Sequence, residues 1–161
     1  FEPYRQEFFL NDPRHYPLWE KIQELGVPIM AHTGTIQGSG VQRLKYNQPI
    51  PYLDDLAADF PGLTIVGCHP SFPWQDEMLA IAAHKSNVHV ELSAEWPKYF
   101  SENLVRYINT FIQDKVMFGT GYPRVEPEDW FADFDALPIT AEVRPKVLLR
   151  NAARLFGLNS S

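Results

Sequence analysis

VPIMAH at residues 27–32 and LTIVGCH at residues 63–69 are short apolar runs that each end at a histidine. A helical stripe of apolar residues precedes each run. Two further apolar runs, at residues 88–92 and 115–119, again alternate with helical patterns. Short, nearly continuous apolar strands that alternate with helices indicate an α/β domain whose parallel sheet is buried on both faces.

The two histidines at the ends of these runs are the first candidates for a functional site. In a parallel sheet, functional groups gather at the carboxyl ends of the strands. Because parallel strands point the same way, we expect the imidazoles of His32 and His69 at one end of the sheet. A neutral imidazole can bind a divalent metal ion or transfer a proton near neutral pH. At each position, the alternative is a histidine whose ring nitrogens only bond to the nearby backbone.

Other side chains near the strand ends carry weaker signals. Arg124 follows the fourth strand, where a guanidinium either holds a substrate carboxylate through two hydrogen bonds or faces solvent. Trp74 follows His69 and either lines an apolar pocket or packs at a helix start. Glu91 lies near the end of the third strand and either supports the site or is buried against a basic residue. For Cys68 we expect a small buried residue rather than a reactive thiolate.

Composition excludes several classes of protein. The formal net charge of −6 argues against a protein that binds nucleic-acid phosphates. The single cysteine cannot form an internal disulfide, and no apolar run approaches the ~18 residues of a membrane span. The length of 161 residues is typical of a single domain, 1–161. We therefore expect a cytoplasmic protein with no nucleic-acid partner and no membrane segment.

Four blocks of sequence, taken together, resemble a known family. They are PIMAHTG at residues 28–34, GCHP at 67–70, FGTGYP at 118–123 and NAARLFG at 151–157. Their order and spacing are similar to those of amidohydrolase-related TIM-barrel proteins. This group contains aminocarboxymuconate-semialdehyde decarboxylase, γ-resorcylate decarboxylase and related metal-dependent hydrolases. The resemblance covers nearly the whole chain.

The resemblance implies a parallel (β/α) barrel of TIM type, of which this chain represents about the C-terminal half, four strands with their helices. In the family the barrel holds a divalent metal ion, most often zinc. By its motif, His32 resembles the fifth-strand histidine that binds the metal. His69 resembles the sixth-strand histidine that acts as catalytic acid or base, or orients the substrate.

The chain departs from the family pattern in two ways. It has no His-x-His pair, which in the family lies on the first strand and binds the metal, and it has Gly121 where the last strand of the family carries an aspartate. One histidine cannot hold zinc, which usually has three or four protein ligands. We therefore expect this chain to be inactive alone, unless ligands come from another chain or from the N-terminal half of the barrel.

Three explanations of the half-barrel remain open. The 161 residues are a portion of a longer barrel, or two copies pair as a homodimer that closes eight strands, or the parent is a degenerate homologue that has lost its metal chemistry. A half-barrel has two exposed strand edges, which are strongly disfavoured. The start at Phe1, without a methionine, favours the first explanation, and Gly121 keeps the third open.

The resemblance implies a metal-dependent hydrolase or a non-oxidative decarboxylase, a carbon–carbon lyase, that acts on a small carboxylate or cyclic substrate. His69 is then the catalytic residue, His32 the metal ligand, and Trp74 and Arg124 the substrate-binding residues. The alternative is a non-catalytic barrel homologue with a binding or structural role. The loop of residues 35–51, which includes Gln37 and Gln42, lies where substrate selection is expected.

Overall fold

A four-stranded parallel sheet, in the order β1-β2-β3-β4, forms the centre of the structure. The computed structural model describes residues 1–35, 40–41 and 43–158. The strands are β1 (Ile29–His32), β2 (Ile65–Cys68), β3 (Val88–Glu91) and β4 (Val116–Met117). Across the sheet, His32 pairs with Cys68, Cys68 with Glu91, and Glu91 with Met117. The predicted parallel α/β architecture is confirmed, although each strand is shorter than its apolar run.

Helices connect the strands and flank the sheet. They are α1 (Pro3–Gln6), α2 (Tyr16–Glu24), α3 (Tyr52–Asp59), α4 (Gln75–His84), α5 (Glu102–Asn109), α6 (Pro127–Asp135) and α7 (Asn151–Leu155). There are also 3₁₀ turns at Pro13–His15, Leu44–Asn47 and Pro97–Tyr99, and a π-helical turn at Lys146–Arg150. The longest of these helices, α4, has 10 residues. Across the described ranges, none is long and apolar enough to cross a membrane.

The two faces of the sheet differ in character. One face joins the helices in the hydrophobic core through Ile29, Ala31, Ile65, Val88, Val90 and Val116. Side chains alternate between the faces of a strand. The other face therefore carries Met30, His32, Val66, Cys68, His89, Glu91 and Met117. This second face, which corresponds to the interior of a TIM barrel, is where the titratable side chains of the strands lie.

Polar side chains satisfy backbone groups at the ends of several elements. The amide of Asn87 donates to three carbonyl oxygens at the end of α3 and in the turn that follows, at 3.0–3.2 Å. The buried amide of Asn151 donates to the carbonyl oxygens of Gln113 and Val116, at 2.9 and 2.8 Å. Lys115 donates from Nζ to a carbonyl oxygen in the last turns of α4, at 2.7 Å. Since unpaired buried carbonyl groups are costly, these bonds fix where the strands begin.

The loop of residues 35–51 is partly ordered by a 3₁₀ turn at Leu44–Asn47, which the sequence did not predict. Asn47 is buried there, and its amide donates to the carbonyl oxygen of Gly34 at 2.9 Å. Gln37 and Gln42 of this loop lie outside the described residues. The turn therefore ties the loop to the end of β1.

The outer edge of β1 is partly covered by Phe1. The amino group of Phe1 donates to the carbonyl oxygen of Met30 at 2.6 Å. The backbone N–H of His32 donates to the carbonyl oxygen of Phe1 at 3.0 Å. Because the backbone groups of an edge strand need hydrogen-bond partners, the first residue of the chain covers part of this edge.

His89 lies on β3, on the face of the sheet that corresponds to the barrel interior. Its titration should make the stability of the protein depend on pH. Burial, with the positive charges of Lys115 and Arg154, lowers its pKa to about 4. A histidine in the unfolded chain titrates near pH ~6.5. As the pH falls from about 6.5 to about 4, the unfolded state takes up a proton that the folded state does not, so the free energy of unfolding falls.

We expect His89→Gln to reduce the loss of stability between pH 6.5 and 4, measured as urea unfolding across this range. Val66→Ala, beside His89 in the sheet, is the matched control. It removes buried apolar surface but no titratable group, so it should lower stability equally at every pH. Parallel wild-type and His89→Gln curves would show that His89 does not contribute this dependence.

Candidate metal and proton-transfer site

The rings of His32 and His69 lie side by side at the carboxyl edge of the sheet. His32 is the last residue of β1, and His69 follows the last residue of β2. Because His32 pairs with Cys68 in the parallel register, the next residue, His69, comes beside it. The ring centroids are 4.5 Å apart and the ring planes are inclined at 73°. The parallel pairing thus brings two imidazoles into one site.

A cavity of about 480 Å³ opens over this edge, and both histidines line it. Arg124 and Gly121, from the segment after β4, also line the cavity, as does Arg5 of α1. Trp74 does not; it is half-buried at the residue before α4. The structure therefore brings three of the four predicted site residues together, and the role assigned to Trp74 stays a prediction.

His32 is held as a neutral imidazole. Burial, together with the nearby His69 and Arg5, lowers its pKa to about 4. The ring packs edge-on against the ring of Tyr4, with 4.9 Å between centroids. Its Nδ1 atom is buried and has no hydrogen-bond partner among the residues that the structure describes. An unpartnered buried nitrogen is costly, and a bound metal ion is one partner that would satisfy it.

His69 is oriented by Ser93. Its Nδ1 atom lies 3.1 Å from the carbonyl oxygen and 2.9 Å from the Oγ atom of Ser93. A carbonyl oxygen can only accept, so Nδ1 carries the proton and Nε2 has the free lone pair of the neutral ring. Burial and the charge of Arg124 lower the pKa of His69, and the hydrogen bond to the backbone of Ser93 opposes them. Near neutral pH, Nε2 is a proton acceptor or a ligand.

The backbone of His69 is in an uncommon conformation. Its φ is +76°, in the left-handed region that costs a residue with a Cβ atom about 1 kcal/mol or more. A hydrogen bond of 2.8 Å from its N–H to the carbonyl oxygen of Glu91 holds it there. Strained conformations of this kind are concentrated at functional sites. The turn after β2 thus directs the ring of His69 toward β3.

Glu91 is buried beside this pair, with only 8% of its surface exposed. Burial raises the pKa of its carboxyl group, and hydrogen bonds from Ser93 oppose the shift. Its Oε2 atom accepts a hydrogen bond of 2.7 Å from Ser93 Oγ. The sequence left open whether Glu91 supports the site or is buried against a basic residue; in the described chain its side-chain partner is Ser93. The sequence did not single out Ser93, whose only signal is its position two residues after Glu91.

Two more residues complete the electrostatic setting. Cys68 lies between His32 and Glu91 in the sheet, and burial with the charge of Glu91 raises the pKa of its thiol to about 12. The thiol is therefore protonated, which argues against a nucleophile, although Cys68 is only partly buried rather than fully buried as expected. Glu95, on the cavity wall, has a pKa raised by burial and lowered by Arg124. The wall thus presents both signs of charge.

The described residues fit part of a metal site but not all of it. The unpartnered nitrogen of His32 fits one ligand, and Nε2 of His69 is a second nitrogen donor close by. Within residues 1–35, 40–41 and 43–158, no group of three or more His, Cys, Asp or Glu side chains could hold a metal ion. Gly121, where the family carries an aspartate, has a φ of +68° and offers no donor. Since zinc usually has three or four protein ligands, further donors are needed.

Comparison with known structures shows the same fold. An uncharacterised TIM-barrel protein from Bordetella bronchiseptica is 28% identical, with a TM-score of 0.81 over 93% of this chain and 52% of its own. A 5-carboxyvanillate decarboxylase from Sphingomonas paucimobilis is 21% identical, with a TM-score of 0.65 over 95% of this chain and 56% of its own. A dihydroxybenzoic acid decarboxylase from Polaromonas sp. JS666, with bound manganese and the inhibitor 2-nitroresorcinol, is 17% identical, with a TM-score of 0.69 over 96% and 57%.

The chain spans about half the length of these structures, which confirms the expectation of a partial TIM barrel. No curated protein matches the sequence. The family model described as Amidohydrolase matches residues 1–158. The predicted family is therefore confirmed, and this chain belongs to the amidohydrolase family.

Proposed function

We propose that this chain supplies the His32 and His69 part of the active site of a metal-dependent hydrolase or non-oxidative decarboxylase. One observation carries the proposal. The ring centroids of two neutral imidazoles lie 4.5 Å apart at the edge of a cavity, and Nδ1 of His32 has no hydrogen-bond partner among the described residues. Neutral imidazoles are the form that binds divalent metals and accepts protons. A purely structural pair would bond its buried nitrogen atoms to the backbone.

In this proposal His32 is a metal ligand, and the remaining donors come from outside the described residues. The rest of a single (β/α) barrel domain is their first source, and a second copy of the chain is the alternative. A divalent ion bound there supplies Lewis acidity or an acidified water. Zinc suits imidazole ligands, and the manganese in the Polaromonas decarboxylase supports testing both ions.

His69 moves a proton in the proposed reaction. The Nδ1–H group of its ring donates a hydrogen bond to Ser93. The lone pair of Nε2 is therefore free to accept a proton from the substrate or from water. The lowered pKa keeps the ring neutral near pH 7, which favours its action as a base. Return of this proton to the product then makes His69 the acid of the same cycle.

The substrate class follows from the charges of the cavity. Arg124 and Arg5 both line it, but the Nε atom of Arg5 already pairs with the carboxylate of Glu2 at 3.1 Å, so Arg124 is the residue assigned to bind a substrate carboxylate through two hydrogen bonds. Glu95 and Glu2, on the same wall, disfavour ligands that carry several negative charges, because carboxylates repel further negative charge. We propose a small carboxylate or cyclic substrate held by Arg124; Trp74, which does not line the cavity, stays a predicted substrate contact. Two of the similar structures are decarboxylases of aromatic carboxylates, which supports this class.

A second candidate function is a non-catalytic barrel with a binding or structural role. The observation that favours it is Gly121, which lines the cavity at the position of the family aspartate. Glycine has no side chain to bind a metal or transfer a proton. Metal content and turnover of the two histidine variants separate the two functions.

Substitution of each histidine should have a different effect. His32→Ala should remove bound zinc or manganese, because it deletes a ligand. His69→Ala should retain the metal and lower kcat at least about 100-fold, because it deletes the proton acceptor. Both effects are measured in the full-length protein, which carries the other half of the barrel: metal content by mass spectrometry, and turnover as release of CO₂ from 2,6-dihydroxybenzoate and 5-carboxyvanillate.

His89→Gln is the control for these variants, because His89 does not line the cavity, and it should retain metal and turnover. Loss of metal from His69→Ala would make His69 a ligand. A full-length wild-type protein, with both halves of the barrel, that takes up neither metal at saturation would remove the enzymatic proposal and leave the second candidate.

Gly121→Asp tests whether this position once held a ligand. A Cβ atom at Gly121 would lie 3.4 Å or more from Ala94, so there is room for a side chain. The left-handed φ strains any such residue, although aspartate tolerates it better than most. Gly121→Ala has the same strain without a carboxylate and is the matched control. We expect Gly121→Asp to raise zinc affinity about tenfold or more over Gly121→Ala, measured by competition with a chelating dye; equal affinities would show that Gly121 is not the ligand position.

A further inference from the structure

We propose that Glu91 and Ser93 are positioning residues that fix the tautomer of His69. Glu91 orients the hydroxyl group of Ser93, whose oxygen then accepts a hydrogen bond from Nδ1–H of His69, and this leaves the Nε2 lone pair facing the cavity. The catalytic meaning of this arrangement rests on the proposed role of His69 in proton transfer. The arrangement itself rests only on hydrogen-bond geometry.

The direction of each hydrogen bond follows from its partners. The hydroxyl group of Ser93 has one proton, and it donates this proton to Glu91 Oε2 at 2.7 Å. Toward His69, 2.9 Å away, the hydroxyl therefore presents only a lone pair. The carbonyl oxygen of Ser93, at 3.1 Å, is a second acceptor for the same ring atom. Two acceptors around Nδ1 place the proton there.

A notch at Gly119 makes room for the carboxyl group of Glu91. A Cβ atom at Gly119 would overlap Glu91 Oε1 and would come within 3.2 Å of the Cβ atom of Ser93. Gly119 does not have a left-handed φ, so the need for a glycine here is one of space. The carboxyl group thus fills a space that only glycine leaves open between β3 and the segment after β4.

The costs of this arrangement indicate a role beyond packing. Glu91 is buried, burial disfavours its ionised form, and no lysine or arginine forms an ion pair with it among the described residues. A buried carboxyl group of this kind is expensive, and an apolar residue would serve the core better. The interaction that accounts for a carboxyl group at this position is its hydrogen bond to Ser93, which in turn is hydrogen-bonded to His69.

The test is the tautomer of His69 in the full chain labelled with ¹⁵N-histidine. Long-range ¹H–¹⁵N spectra near pH 7.5 report which ring nitrogen is protonated. We expect the Nδ1–H form in the wild-type protein. In Glu91→Gln, the amide of the new side chain can donate to Ser93 Oγ, which frees the serine proton to turn toward His69. The spectra should then show a mixture in which the Nε2–H form is populated.

Two further variants separate positioning from packing. Gly119→Ala displaces the carboxyl group of Glu91 without changing its chemistry, so it should shift the tautomer in the same direction. Val90 lies next to Glu91 but on the opposite face of β3, in the hydrophobic core. Val90→Ala should therefore destabilise the core without changing the hydrogen bonds of Glu91, Ser93 and His69, and it should leave the wild-type tautomer unchanged. A Glu91→Gln protein that folds and keeps only the Nδ1–H form would overturn the inference, as would a wild-type protein in the Nε2–H form.

Turnover separates this inference from the proposed function. If His69 transfers the proton, Glu91→Gln should lower kcat about 10- to 100-fold with little change in KM, because the substrate contacts are intact. A shifted tautomer with unchanged kcat would support the positioning of His69 and contradict its role in proton transfer. An unchanged tautomer with lowered kcat would contradict the positioning and leave the proposed function in place.

Discussion

The parallel pairing of β1 with β2 determines where the chemistry of this protein lies. It sets His32 opposite Cys68, so that the next residue, His69, comes beside the His32 ring. An antiparallel pair would place the ends of the two strands at opposite edges of the sheet. On the next strand, β3, the parallel register pairs Glu91 with Cys68, so Glu91 lies at the same edge of the sheet. Two hydrogen-bonded ladders therefore collect the polar groups of three strands at one edge.

This arrangement is maintained at a cost to stability. The inner face of the sheet carries imidazoles, a thiol and a carboxyl group where an ordinary parallel sheet would be apolar. The protein limits the cost by keeping these groups uncharged or bonded. Burial lowers the pKa of each imidazole on the face and raises that of the thiol, while Ser93 bonds to the carboxyl group. Among the described residues, Nδ1 of His32 has no hydrogen-bond partner, and a bound metal ion would supply one.

The sequence predicted the parts of the fold that depend on local pattern. Apolar runs that end at His32 and His69 predicted both the parallel sheet and the shared edge, because strand direction alone settles that question. Local pattern also accounts for the start of helix α5, where the side chain of Ser101 accepts from the N–H of Leu104 as an N-cap. The family was predicted from four blocks in order, and the family comparison confirms it.

What the sequence did not predict depends on contacts between distant residues. The Glu91, Ser93 and His69 network needs the left-handed turn after β2 and the space at Gly119, and neither has a local signature. The sequence also contained no signal for which aromatic residue after His69 lines the cavity. Phe72 lines it, whereas Trp74, the residue before α4, is half-buried and is not part of the lining. The path of the chain through the short turn between β2 and α4 determines which of these side chains lines the cavity.

Anomalous diffraction from crystals of the zinc-loaded full-length protein, which contains the rest of the barrel, tests the site most directly. Imidazole ligands lie about 2.0–2.1 Å from zinc. We predict a zinc peak at this distance from a ring nitrogen of His32, with Nε2 of His69 facing the same cavity and outside the coordination sphere. A zinc peak away from His32, or rings of His32 and His69 that do not share one cavity, would contradict the proposed site.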